Sequence, residues 1–176
     1  STGRAWMGGA MALVVVTGLI NLPLPFFGDQ ALYTVMASMM SDGAALYTDV
    51  WDLKQPGIFA FYLAAGSSFG FTEVGIHVFE MLWWSAFSVV LWVTMRRILN
   101  SPAAVAATVV LIGGGYFLAV SPSELTQVEG LVGVPVCACL WFAYRSEPGT
   151  TDPQRSLALS GVFGGIVLLF KLIFLP

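Results

Sequence analysis

Residues 29–56 read DQALYTVMASMMSDGAALYTDVWDLKQP, the longest interval of the chain with no segment fit to cross a membrane. It holds Asp29, Asp42, Asp49 and Asp52, four of the five aspartates, and Lys54, one of two lysines. Of 176 residues 57% are hydrophobic and 10% are charged, against roughly 25% charged in soluble domains. Composition therefore places the chain in lipid, with this interval as a polar island. No basic cluster points to nucleic acid, and the net charge of -3 says less than the placement of the charges.

Working outward, apolar runs near the roughly 20 residues needed to cross the hydrocarbon core are expected at 6–22, 74–95, 103–120, 125–144 and 157–175. Pro23 and Pro25 end the first, Arg96 and Arg97 the second, and Pro102 and Pro122 bracket the third. Arg145 ends the fourth and opens RSEPGTTDPQR, an exposed Pro/Gly/charge-rich linker. The first run lacks a cleavage-like small-residue site, so it reads as a span rather than a signal peptide. Two further helices are expected within the loop 23–73: about 30–41, with Leu32, Val35, Met36, Met39 and Met40 at helical spacing, and about 57–69, short for a span and suited to the interface.

The arginines decide the topology, because Lys- and Arg-rich loops stay cytoplasmic. With 57–69 in the interface and Arg4 inside, Arg96, Arg97, Arg145 and Arg155 all fall inside. Asp29, Asp42, Asp49, Asp52, Lys54, Glu73, Glu124 and Glu129 then lie outside, and only Glu147 and Asp152 inside. A crossing at 57–69 would move the later arginines out. The sequence thus predicts an all-α, polytopic transmembrane helix bundle of about five spans, multi-pass in a cell or inner membrane, with juxtamembrane helices in its first extracytoplasmic loop. Small-residue contacts such as Gly161 and Gly165 are expected to pack it. Cys137 and Cys139, two apart, point to different helix faces and read as packing. The start at Ser1 and the apolar stop at Leu175 and Pro176 read as a piece of a longer membrane protein.

Ionisable groups at a membrane boundary are functional candidates by default. Asp42 and Glu73 read as solvated loop acids. Asp29 follows a span exit and precedes a helix, so it is either an active-site carboxylate or an N-cap. Lys54, beside Asp49 and Asp52, is a surface ion-pair partner or a contact for a lipid phosphate. Glu129 lies about one turn into an apolar helix, where a charge needs a partner. His77 and Glu80, three apart on one helix face, form a satisfied pair or a phosphate contact. Lys171 either snorkels or joins the outer site. Gly113, Gly114 and Gly115 lack the context of a phosphate loop and read as helix packing or bending. A carboxylate can take the proton of an attacking hydroxyl or amine while cations hold a departing phosphate, and Phe59, Phe61, Tyr62 and Phe69 could line a groove for the lipid. No zinc-type ligand spacing is present, and a divalent metal stays open. Acids lining an ion path in a transporter, or a non-catalytic membrane scaffold, are the rival readings; the acids here cluster at span ends.

The pattern G-x-x-x-Y-x-D-x-W-D-x-K-x-P-G, here Gly43, Tyr47, Asp49, Trp51, Asp52, Lys54, Pro56 and Gly57, resembles the GT-C membrane glycosyltransferases of the protein-mannosyltransferase-like and aminoarabinose-transferase-like type. Asp29-Gln30 before a helix, Arg96-Arg97, Ser121-Pro122, Glu129, and Gly161, Gly165 and Lys171 fit the same pattern over nearly the whole chain. Gln55 stands where the family usually has a proline, and His77 where an arginine often follows the interfacial helix. The resemblance implies a glycosyltransferase using a polyprenyl-phosphate-linked sugar donor and a lipid, protein or glycan acceptor at the extracytoplasmic face. In that reading Asp29 and Glu129 are catalytic, and Lys54, His77 and Lys171 bind the donor phosphate. Tyr47, Asp49, Asp52 and Gln127 bind substrate, and no cofactor is firmly implied. Members carry more spans and often a soluble C-terminal domain, which implies that these 176 residues alone are inactive.

Overall fold

A computed structural model describes residues 2–146 and 152–172. Residues 147–151 of the linker, Glu147 among them, and positions 173–175 of the last expected span lie outside the described residues. Every regular element among them is helical; the one β feature is an isolated bridge between Leu46 and Val50. In order they are α1 (Thr2–Asn21), α2 (Asp29–Ser41), α3 (Pro56–Phe69), α4 (Glu73–Met95), α5 (Pro102–Val109), a π-turn (Val110–Gly114), α6 (Gly115–Ala119), a 3-10 turn (Pro122–Glu124), α7 (Val128–Leu131), α8 (Gly133–Tyr144) and α9 (Pro153–Phe170). The protein is an all-α bundle with four helices long and apolar enough to cross a membrane: Thr2–Asn21, Glu73–Met95, Pro102–Ala119 and Pro153–Phe170.

Local chemistry sets the boundaries. Pro23 and Pro25 cannot continue α1, and the Asn21 side chain ties its end to the Thr17 and Phe117 carbonyls at 2.9 and 3.0 Å. Thr72, Ser101 and Asp152 cap α4, α5 and α9 by accepting from Gly75, Ala104 and Arg155 N–H groups. Asp29 is not a cap. Gly28, at φ 56°, occupies that position, and Asp29 stands in the first turn.

The expected span at 125–144 is shorter and broken. Residues 125–127 are drawn into a turn, α7 is a single turn, and α8 then carries Pro135. Without an N–H, Pro135 leaves the Leu131 carbonyl free of its helical partner; the Trp83 indole donates to that oxygen at 3.2 Å. At Gly113–Gly115, where bending was expected, the helix opens into the π-turn. A Cβ on Gly113 would meet the Ser88 hydroxyl and lie 3.1 Å from Val14 Cγ2, so glycine lets the π-turn lie close against α4 and α1 without moving these side chains.

α1 packs on α4 and α5, α2 on α3, α3 on α4 and α9, and α8 on α9. One core cluster joins Tyr33, Phe59, Tyr62, Ile76, Leu131 and Phe170; the other joins Val14, Trp84, Phe87, Trp92, Val109 and Tyr116. Two expectations are corrected here, the aromatic groove and the Gly161/Gly165 contact. Phe59, Phe61 and Tyr62 do not line an open lipid groove: they are buried, ring against ring with Tyr33, Phe79 and Trp83, and of the four rings Phe69 alone is exposed. The buried face of α2 is Tyr33, Thr34, Met36 and Ala37, while Leu32, Val35 and Met39 face outward. Nothing lies within 4 Å of a Cβ built on Gly161 or Gly165; α9 meets α8 through Gly164 beside Cys139, Ser160 bonded to the Cys139 carbonyl, and Phe163 stacked on Phe142.

The two ends of the bundle differ in chemistry. At one, Arg4 and Arg96 line a cavity of about 490 Å³, and Arg97 and Arg145 both lie over the Trp141 ring. The starts of α2, α3 and α4, the turn before α7 and the end of α9 gather at the other.

Candidate active site at the acidic end of the bundle

Folding brings together two groups that are 42 positions apart. Lys171 caps the C-terminus of α9, where its cation also suits the helix dipole, and its Nζ meets Glu129 Oε1 at 2.5 Å. The pair is open to solvent, with Lys171 about one-third and Glu129 60% exposed. Gly57, at the start of α3, fits against the α9 backbone; a Cβ there would lie 2.7 Å from the Leu169 carbonyl oxygen. Lys54, three residues earlier and half-buried, acts electrostatically on Glu129 along with Lys171.

The second acid group centres on Tyr33, which sequence reasoning missed. Its ring is fully buried, edge-on to Phe59 and Tyr62, and its hydroxyl donates to Asp29 Oδ2 at 3.1 Å. Burial first, and the Asp29 carboxylate second, hold this phenol well above its ordinary value; Asp52 and Glu129 add to the effect through space. Asp29 alone is bonded to this hydroxyl, while Asp52 is turned to the Lys54 N–H and Glu129 to Lys171. The only signal in the sequence was the position of Tyr33 four residues after Asp29, one helical turn on.

The motif loop is largely self-bonded. Asp49 Oδ2 accepts from Ala45 N–H at 2.8 Å and Asp52 Oδ1 from Lys54 N–H at 2.8 Å. Tyr47, at φ 68°, donates its hydroxyl to the Lys54 carbonyl at 2.6 Å. These three side chains shape the loop that carries Lys54, as Asx-type turns do. His77 is 2% exposed and its Nδ1 is bonded to Glu80 at 3.2 Å inside the bundle, while its buried Nε2 has no hydrogen-bond partner among the described residues. Gln127 is buried and reaches the Ser123 carbonyl. Among the described residues no three His, Cys, Asp or Glu side chains are grouped to hold a metal ion.

The turn before Glu129 is gripped from four sides. Gln30 Nε2 donates to the Leu125 and Pro122 carbonyls at 2.6 and 3.1 Å, and Tyr62 to the Thr126 carbonyl at 3.2 Å. The Thr126 N–H is shared by Glu80 Oε1 at 2.6 Å and Tyr116 Oη at 2.9 Å.

An open acid–lysine cluster beside buried rings can accept a proton and hold an anion, the two tasks of group transfer from a phosphate. The profile of the family described as dolichyl-phosphate-mannose-protein mannosyltransferase matches residues 54–175. The match takes in Lys54, His77, Gln127, Glu129 and Lys171 and begins after Asp29 and most of the motif loop. Comparison with curated proteins and with solved structures gives no match. The four apolar helices and this match make the chain part of an integral membrane protein, and it belongs to the dolichyl-phosphate-mannose-protein mannosyltransferase family of GT-C-type membrane glycosyltransferases.

Proposed function

We propose that this chain forms the donor- and acceptor-activating part of an enzyme that moves a sugar from a polyprenyl-phosphate carrier to a lipid, protein or glycan acceptor at the extracytoplasmic membrane face. The observation that carries this reading is the Lys171–Glu129 pair, brought beside the start of α3 and the Lys54 loop by the packing of Gly57 on the α9 backbone, with Asp29 held by Tyr33 on the neighbouring helix α2. Asp29 takes the proton of the acceptor hydroxyl or amine as that atom bonds to the sugar's anomeric carbon. The anomeric carbon–oxygen bond to the phosphate breaks, and its electron pair stays on the lipid phosphate. Lys54 and Lys171 stabilise that negative charge. Glu129 keeps the Lys171 ammonium oriented until the phosphate arrives. The extracytoplasmic assignment follows the separation of arginines from this site.

The test is transfer from a polyprenyl-phosphate sugar by the full-length protein in membranes; the 176-residue piece alone is expected to be inactive. Asp29→Asn and Lys54→Ala are each expected to lower the rate at least a hundredfold. Undiminished transfer by both variants sinks the site assignment.

A further inference from the structure

Glu80 is a costly residue for its position. It is fully buried in α4, among apolar rings, where a carboxylate is tolerated only with partners. A leucine or methionine would fill the same volume without that cost. Its three partners are the Tyr116 hydroxyl at 2.5 Å, the Thr126 N–H at 2.6 Å and His77 Nδ1 at 3.2 Å. Of these, Thr126 is the unusual one. It is β-branched yet sits at φ 55°, a left-handed conformation that L side chains avoid, so an outside force must hold it there.

We propose that Glu80, together with Tyr116, is a positioning residue: the two fix the Thr126 turn so that Glu129 is presented to Lys171. The inference rests on the reading of Glu129 and Lys171 as part of the active site. Helix α7 begins two residues beyond Thr126 and Glu129 is its second residue, so the direction of the turn sets the direction of the acid. Tyr116 acts twice. Its hydroxyl shares the Thr126 N–H, and its ring, stacked on Trp84 at 4.0 Å, lies beneath Gly130, where an added Cβ would come within 2.8 Å of it. The opposite side of the turn is held by Gln30, the neighbour of Asp29, and by Tyr62. One turn therefore couples the helix carrying Asp29 to the helix carrying Glu129. Such preorganisation matters because displacement of a reacting group by about 1 Å can cost a hundredfold in rate.

The full-length protein is tested with two independent readouts, hydrogen exchange at the Thr126 amide and transfer per folded enzyme. Glu80→Gln keeps an oxygen for the Thr126 N–H and the Tyr116 hydroxyl; its exchange is expected within threefold of the parent and its kcat at least half. Glu80→Leu is expected to speed exchange at least tenfold and to lower kcat at least tenfold, with KM for the donor within threefold. Unchanged exchange in Glu80→Leu overturns the clamp whatever the transfer rate. Released exchange with kcat within twofold of the parent overturns the positioning role. If Glu80→Leu does not accumulate, Tyr116→Phe, which keeps the stacked ring, decides by the same two criteria with a threefold threshold. Undiminished transfer by Glu129→Gln would instead refute the active-site reading, while exchange still decides the clamp.

Discussion

Replacing Lys171 with methionine separates a functional ion pair from an ornamental one. The pair it forms with Glu129 is open, about one-third exposed on the lysine and 60% on the acid. Exposed pairs contribute about 0.2–1 kcal/mol to stability. For a protein of 150–250 residues about 1 kcal/mol moves Tm by roughly 2–4 °C, so Lys171→Met should melt within about that range of the parent. Its effect on chemistry should be far larger. A cation aimed at the charge that develops on a departing phosphate is worth about 3 kcal/mol, a hundredfold or more in kcat. The assay is transfer from a polyprenyl-phosphate sugar by purified full-length protein, normalised to folded enzyme from its melting curve. Glu129→Gln and the double variant complete a cycle. If the pair acts as one unit, the double variant should be no slower than the worse single variant by more than about threefold. The reasoning is refuted if Lys171→Met loses transfer only in proportion to folded protein, or keeps it within threefold of the parent.

Three further predictions follow from packing and titration. Gly57→Ala drives a Cβ to 2.7 Å from the Leu169 carbonyl and 2.9 Å from Phe170 N; because backbone cannot swing aside, thermal melting should show a loss of about 1–3 kcal/mol, and transfer should fall with it as the end of α9 shifts. Trp83→Phe removes the only hydrogen bond seen to the Leu131 carbonyl among the described residues, which should cost about 1–3 kcal/mol in chemical denaturation; a loss below the resolution of that measurement would remove the indole from the account of the α7–α8 break. Tyr33 binds its proton more tightly in the folded state than its ordinary value of 10.0, so above that pH the unfolded chain loses the proton first and stability falls as pH rises. Tyr33→Phe should therefore show a shallower decline of Tm above pH about 10, with no difference in slope near neutrality.

The sequence by itself determined the class of molecule, because composition, proline positions and arginine placement are one-dimensional properties that a bilayer reads directly. Four of the five expected long apolar helices, the shorter helices at about 30–41 and 57–69, and the resemblance to a GT-C family were legible from runs, breakers and the motif around Trp51. Apolar periodicity was a poorer guide to which face is buried. In α2 the periodic residues are Leu32, Val35, Met36, Met39 and Met40, of which Met36 is buried and Met40 partly so, and the rest of the inward face is Gln30, Tyr33, Thr34 and Ala37. A bilayer accepts an apolar face as readily as a core does, so polar and aromatic groups with partners turn inward.

Tertiary structure alone decided the site's wiring. Nothing local to Glu80 announces that its carboxylate holds Thr126, 46 positions away, or that Lys171 meets Glu129 across 42 positions. His77 looked like a candidate phosphate contact because it shares a helix face with Glu80; only packing shows both groups enclosed in the bundle. Contacts across such separations depend on how helices pack and where a turn such as Leu125–Gln127 is pinned, and neither follows from residue spacing. The polar island of residues 29–56 marked where a candidate site was expected. Which of its charges face one another was settled by α7 and α9 folding back against it.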